Sequence, residues 1–171
     1  MLESYREHVK ARAALGIPPL PLNAEQTAAL CELLKNPPEG EAEYLMHLLC
    51  DLIPPGVDPA SYVKASFLTA IAKGEAASPL IPPLQAVQLL GTMLGGYNVQ
   101  ALVDLLSSSD AELAQTATDA LKKTLLVYDA FNDVLALAKS DNPGSDYAQQ
   151  VTDAWAAAEW FTSKPEVPDT I

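Results

Sequence analysis

Proline pairs divide the chain into short blocks, and this division limits its fold more than any other feature. Pro-Pro pairs stand at 18–19, 37–38, 54–55 and 82–83. Proline has no backbone N–H, and its ring clashes with the preceding helical turn, so a helix cannot run through such a pair. The pairs therefore mark turns, and the helices in this part of the chain have to be short.

The blocks between the turns have helical composition and helix-start signals. Ala and Leu dominate the apolar residues, aromatics make up only 6 %, and β-branched runs typical of strands are missing. Asn23 with Gln26 predicts a capping box, Asp58 before Pro59 predicts an N-cap, and Ser109 or Asp110 predicts another. The predicted helices cover 2–15, 24–35, 41–53, 59–73, 83–94, 99–106 (capped by Asn98), 110–125, 128–138 and 145–158 (capped by Ser145).

About nine helices joined by short turns predict an all-α fold. Consecutive antiparallel pairs at intervals of roughly 35–45 residues favour a HEAT-like α-solenoid of helical hairpins over a simple bundle. Residues 1–163 are predicted to form this helical domain. Residues 164–171 contain Pro165 and Pro168 without helical periodicity, so they are predicted to begin a linker to a further region.

The charge of the chain argues against nucleic-acid binding. The formal net charge is −12, and no lysine or arginine occurs between Lys73 and Lys122. Binding to phosphate backbones needs clustered basic residues, which this chain does not have. The charged N-terminus resembles no signal peptide and no run of about 18 apolar residues exists, so a cytoplasmic protein without a membrane span is predicted.

The reactive side chains do not form a recognisable site. His47 and Cys50 are spaced three apart on one predicted helix, and Cys31 would have to join them from the preceding helix. Zinc sites use three or four ligands, so ordinary packing and surface roles are predicted instead. The Gly95-Gly96 loop lacks the lysine and the preceding strand of a phosphate loop. No catalytic, cofactor-binding or metal-binding residue is therefore assigned.

The segment from Ala76 to Val103 contains no charged residue. Apolar residues there cover more than one helix face, which is typical either of an inner helix of the array or of a surface covered by another domain or subunit. Asn98 follows a glycine-rich loop that is either a tight turn or a receptor for an anion or a partner's carboxylate. Trp160 lies well round its helix from Trp155. The candidate interface residues are Leu84, Leu94, Tyr97, Asn98, Val99 and Trp160.

Several stretches together resemble one protein family. They include 2–6, 16–18, 33–38, 54–58, 62–65, 70–80 and 158–161, and the most specific are Leu89-Leu90-Gly91-Thr92-Met93 and Gly95-Gly96-Tyr97-Asn98. In order and spacing they are similar to the N-terminal helical domain of aconitase B, the bifunctional aconitate hydratase and 2-methylisocitrate dehydratase. The likeness extends to about Pro165.

The resemblance implies an accessory role beside a catalytic region. The family enzyme interconverts citrate and isocitrate through cis-aconitate in the tricarboxylic acid cycle, with a [4Fe–4S] cluster that three cysteines of later domains hold. No catalytic residue or cofactor is carried over to this chain. The implied partners are the catalytic domains of the same enzyme and a second copy of the chain. A free-standing helical-repeat adaptor that binds another protein remains the alternative.

Overall fold

The fold is taken from a computed structural model that describes residues 1–124 and 130–163, with backbone alone for Trp160 and Phe161. These residues form helices and turns without a strand, which confirms the predicted all-α class. None of the described helices is long and apolar enough to cross a membrane. The helices are α1 (Leu2–Ala14), α2 (Ala24–Lys35), α3 (Ala42–Asp51), α4 (Pro59–Ala72), α5 (Pro83–Leu90), α6 (Val99–Leu105), α7 (Ala111–Leu121), α8 (Phe131–Ala138), α9 (Ser145–Ala157) and the single turn α10 (Glu159–Thr162).

Side-chain caps begin three of the helices at the predicted positions. The Asn23 side chain accepts a hydrogen bond from the Gln26 N–H at 2.9 Å, and the Gln26 side chain accepts one from the Asn23 N–H at 3.0 Å. Asp58 accepts from the Ala60 N–H at 2.8 Å and begins α4. Asp110, rather than Ser109, caps α7. These bonds satisfy amide groups that have no partner within the helix.

Other predicted helix ends and caps were wrong. α5 ends at Leu90 instead of Leu94, because the Leu94 N–H donates to Pro55 O at 2.9 Å and leaves the helical path. Asn98 precedes α6 as predicted, but its side chain does not cap the helix. Ser145 is the first residue of α9, and Gly144 occupies the cap position. The predicted start of α8 at Tyr128 lies outside the described residues, as does Leu125 of the predicted α7 stripe.

The helices pack in chain order around one apolar core. α2, α4, α5, α7 and α9 contact one another in succession, while α3 packs on α2, α6 on α7 and α8 on α9. Leucines from these helices are fully buried, among them Leu30, Leu48, Leu68, Leu90 and Leu102. Such a row of neighbouring helices is compatible with stacked hairpins, and the HEAT-like solenoid stays a prediction.

Polar contacts of its side chains, in addition to apolar packing, hold α1 to the rest of the domain. The buried Tyr5 hydroxyl donates to Leu20 O at 2.6 Å, which ties α1 to the proline-rich connector. Arg6 pairs with Glu41 and lies over the Tyr44 ring, 4.5 Å from its centroid. The connector is therefore an ordered part of the domain.

The capping box at Asn23 predicts a measurable loss of stability. We expect Asn23→Ala to lower the free energy of unfolding by about 1 kcal/mol, because the Gln26 N–H loses its acceptor. Urea denaturation of both proteins measures the difference. Gln149→Ala, an exposed change inside α9, is the control and should stay within about 0.5 kcal/mol of the parent. Equal stability of the two variants would contradict the role of the cap.

Candidate interaction surface

Two loops that are distant in sequence meet in the structure. Residues 52–58 connect α3 to α4, and residues 91–98 connect α5 to α6. Gly95 lies so close to Gly56 that a Cβ atom on Gly95 would stand 2.2 Å from the Gly56 carbonyl oxygen. The backbone bond from the Leu94 N–H to Pro55 O joins the loops beside this contact. Only glycine fits at position 95 in this arrangement.

A buried polar side chain forms hydrogen bonds to the backbone of each loop. The Ser61 hydroxyl of α4 donates to Pro54 O, and Ser61 is fully buried. The Asn98 side-chain amide is also fully buried, and its Nδ2 donates to Leu90 O at 2.7 Å and to Met93 O at 3.3 Å. Asn98 thus binds two carbonyl groups at and just beyond the end of α5, of which Leu90 O also accepts the Met93 N–H. The loop backbone is positioned by these bonds rather than by apolar packing alone.

Four large side chains on these loops and on α4 are exposed, and we call Val57, Tyr62, Leu94 and Tyr97 the loop patch. Val57 is 74 % exposed and Leu94 is 65 % exposed. The rings of Tyr62 and Tyr97 meet edge to face with centroids 5.4 Å apart. The Tyr97 hydroxyl donates to Val57 O at 3.1 Å, which links the two loops again. A cluster of exposed apolar side chains is typical of a contact surface.

A polar cleft of about 330 Å³ borders the loop patch on the side of α4 and α6. Tyr62 and Tyr97 line it together with the ion pair between Lys73 Nζ and Asp104 Oδ2, which are 2.7 Å apart. Burial opposes the ionised form of Asp104, but hydrogen bonds from Lys73 and Gln100 hold the pKa of its carboxyl below the ordinary value. The apolar surface therefore has a charged and hydrogen-bonded rim, as protein contact surfaces commonly do.

The predicted interface residues occupy three different environments. Leu94 and Tyr97 belong to the loop patch. Asn98 and Val99 are buried, with Val99 only 5 % exposed, so they support the surface from the core instead of contributing side chains to it. Leu84 is half-buried near the start of α5, at the opposite end of that helix from the loop. The side chain of Trp160 lies outside the described residues.

The cysteines and His47 are not brought together in a reactive cluster. Cys31 is buried, and this burial raises the pKa of its thiol to about 12. His47 Nδ1 lies 2.8 Å from Asp51 Oδ2 on the surface of α3, and Cys50 is exposed. Within residues 1–124 and 130–163, no group of three His, Cys, Asp or Glu side chains could hold a metal ion.

Val57 and Tyr62 were missed in the sequence interpretation. Each lies outside the uncharged segment that drew attention to Leu94 and Tyr97. The available signal for Val57 was its position. It is an apolar residue between Gly56 and Asp58, in a turn outside the predicted helices. Tyr62 gave no comparable signal, because an aromatic residue on a helix is usually part of a core.

These features define an all-helical domain whose exposed apolar loops meet at one surface. The model of the aconitate B N-terminal domain family matches residues 4–161, so the chain belongs to the family of aconitase B N-terminal domains, as the resemblance predicted. The chain is 66 % identical over its whole length to aconitate hydratase B of Synechocystis sp., 59 % to that of Pseudomonas aeruginosa and 57 % to that of Escherichia coli K12. It spans 19 % of the length of each of these relatives.

The two facing glycines provide a matched test of the loop contact. We expect Gly95→Ala to lower the free energy of unfolding by about 1–3 kcal/mol, because the new methyl group overlaps the Gly56 carbonyl. Gly56→Ala is the control, since a Cβ there meets no atom within 4 Å and its φ is not positive, so we expect a change within about 0.5 kcal/mol. Urea denaturation measures both. Similar losses for the two variants would show that the loops are not in contact.

Proposed function

We propose that this chain is the N-terminal accessory domain of an aconitate hydratase B and packs through the loop patch against the catalytic domains of that enzyme. Family membership and the 19 % share of the relatives' length support a domain of a larger protein. The observation that carries the proposal is the exposure of Val57 and Leu94 on two loops that meet at Gly56 and Gly95.

The chemistry of the loop patch favours a protein contact over a free surface. Burying a side chain such as Leu94 is worth about 1.5–3 kcal/mol. Tyr62 and Tyr97 add large apolar rings, and each ring carries a hydroxyl group that can form a hydrogen bond. This combination is common in contact surfaces. The uncharged segment from Ala76 to Val103 leaves the second loop without charges that would have to be desolvated.

We propose that the complete protein is cytoplasmic and interconverts citrate and isocitrate through cis-aconitate in the tricarboxylic acid cycle, and that it also dehydrates 2-methylisocitrate. The family resemblance implies that three cysteines of later domains hold the [4Fe–4S] cluster of such an enzyme. This chain has two cysteines, of which Cys31 is buried on α2 and Cys50 is exposed on α3. They do not fit the cluster, and no catalytic step is assigned to this chain.

We also propose that the domain ends near residue 163 and that 164–171 begin the connection to the catalytic region. Trp160 remains a candidate for a contact at this end of the domain. A net charge of −12 with few basic residues makes a nucleic-acid role of the isolated domain unfavourable.

A second candidate function is self-association through the loop patch, which would form a homodimer. The exposed Leu94 and Val57 favour it for the same reason as the first. A stand-alone adaptor for another protein is the third candidate, and it would use the same surface. Light scattering on the purified chain distinguishes the second from the others, because only self-association raises the mass of the chain alone.

A full-length chimera tests the packing role. This chain would replace the corresponding N-terminal 19 % of the Synechocystis enzyme, with which it shares 66 % identity. We expect Leu94→Asn to speed the proteolytic release of the N-terminal domain about tenfold or more, because the contact loses the burial of one leucine. Gel electrophoresis of timed digests measures the release.

Leu15→Asn is the matched control for the chimera, since Leu15 is 73 % exposed at the end of α1 and is not a residue of the loop patch. We expect it to leave the release rate unchanged. Thermal melts of the isolated chain with either substitution should stay within a few degrees of the parent, because both side chains are exposed. Equal release rates for the two chimeras would contradict the proposal.

The accessory role also predicts that the chain alone has no aconitate hydratase activity. After treatment with iron and sulfide under reducing conditions, the purified chain should give no absorbance change from cis-aconitate formation. The full-length chimera treated in the same way is the positive control. Turnover by the isolated chain would show that a catalytic site is present in it.

A further inference from the structure

Lys64 on α4 is the one charged residue that is buried within the described parts of the chain. It is 5 % exposed, and its Nζ forms no ion pair or hydrogen bond with any described residue. Three other lysines show the usual arrangement, because Lys35, Lys73 and Lys122 each pair with a carboxylate at the surface. The environment of Lys64 therefore differs from that of a solvated lysine.

The burial of Lys64 leaves its ammonium group with little solvent and with no paired carboxylate among the described residues. Removing an ammonium group from water costs several kcal/mol when no counter-charge is near. Burial lowers the pKa of Lys64, and the neighbouring Cys50 and Asp51 on α3 only partly oppose this effect. With 22 acidic residues available, the chain places none of the described ones within ion-pair distance of this ammonium group.

Lys64 lines a cavity of about 170 Å³ between α3, α4 and the two loops. That volume equals roughly five or six water molecules, which is room for a small organic group. The other lining residues are mostly apolar. They are Cys50, Ile53, Pro54, Pro55, Thr92 and Met93. The Thr92 hydroxyl already donates to Leu89 O, so it can accept a hydrogen bond from a ligand but cannot donate one.

We propose that this cavity is a receptor for a single carboxylate group, which pairs with Lys64 Nζ while the attached carbon chain lies against Ile53, Pro55 and Met93. One cation matches one negative charge. A phosphate would bring a second charge and additional oxygens, for which the cavity side chains supply no further cation. The apolar lining favours an anion with a hydrocarbon part over an inorganic one.

Two sources can supply such a carboxylate. One is a free monocarboxylic acid. The other is an Asp or Glu side chain of a segment packed on the loop patch, since Pro55 and Met93 lie next to the residues that carry it. The second source rests on the proposed function, whereas the receptor itself does not.

The test uses the 171-residue chain with ¹³C- and ¹⁵N-labelled lysine. Sodium acetate replaces sodium chloride at constant ionic strength while the lysine Cε and Nζ resonances are recorded. We expect the Lys64 resonances to shift along a saturable curve, and those of the other lysines to change little and without saturation. A response of Lys64 no larger than that of the exposed lysines would overturn the proposal, and this result needs no variant.

Matched variants supply the second readout. Lys64→Met keeps an unbranched side chain, one atom shorter, and removes its charge, whereas Lys73→Met removes a surface lysine that is already paired with Asp104. Acetate should raise the Tm of the parent chain and of Lys73→Met relative to chloride, and it should not raise the Tm of Lys64→Met. Equal stabilisation of all three proteins would contradict the site.

Side-chain mimics then identify the source of the carboxylate. Propionate is compared with glutamate whose amino group is acetylated and whose α-carboxyl group is amidated, so that only the side-chain carboxylate remains. Binding of both at similar concentration supports a protein side chain, and binding of propionate alone supports a free acid. Binding of neither would overturn the receptor, whatever the outcome of the chimera experiment.

Discussion

The approach of Gly95 to the Gly56 carbonyl is the contact on which the rest of the surface depends. No other residue could bring these two backbones so close, because a Cβ would stand 2.2 Å from the oxygen. The contact joins the α3–α4 and α5–α6 connections, which lie about forty residues apart in sequence. It thereby places Val57 beside Tyr97 and brings Pro55 and Met93 to the cavity that contains Lys64.

Local signals made the helices predictable from the sequence. Asn23 with Gln26, and Asp58 with Pro59, begin α2 and α4 because the relevant hydrogen bonds span two or three residues and need no tertiary partner. Proline pairs also predict turns locally, because each proline restricts its own backbone and that of the adjacent helical turn. Membership of the family of aconitase B N-terminal domains was also predictable, because the short motifs of that family occur in order along the chain.

Features that depend on long-range contacts were not predictable in the same way. The end of α5 was misplaced because the Leu94 N–H bonds to Pro55, which belongs to another connection. Val99 was predicted at the interface, but its burial depends on helices that pack over it. Lys64 gave no signal as a buried charge, since periodicity places a lysine on a helix face without showing what covers that face.

Hydroxyl-radical footprinting tests the central claim, that the loop patch is the surface covered in the complete protein. Oxidation of Tyr62, Leu94 and Tyr97 would be compared between the isolated chain and the full-length chimera, with the exposed Leu15 and Phe131 as references. We expect the three patch residues to become several-fold less reactive in the chimera while the references do not change. Unchanged oxidation of the patch, with protection of the references instead, would contradict it.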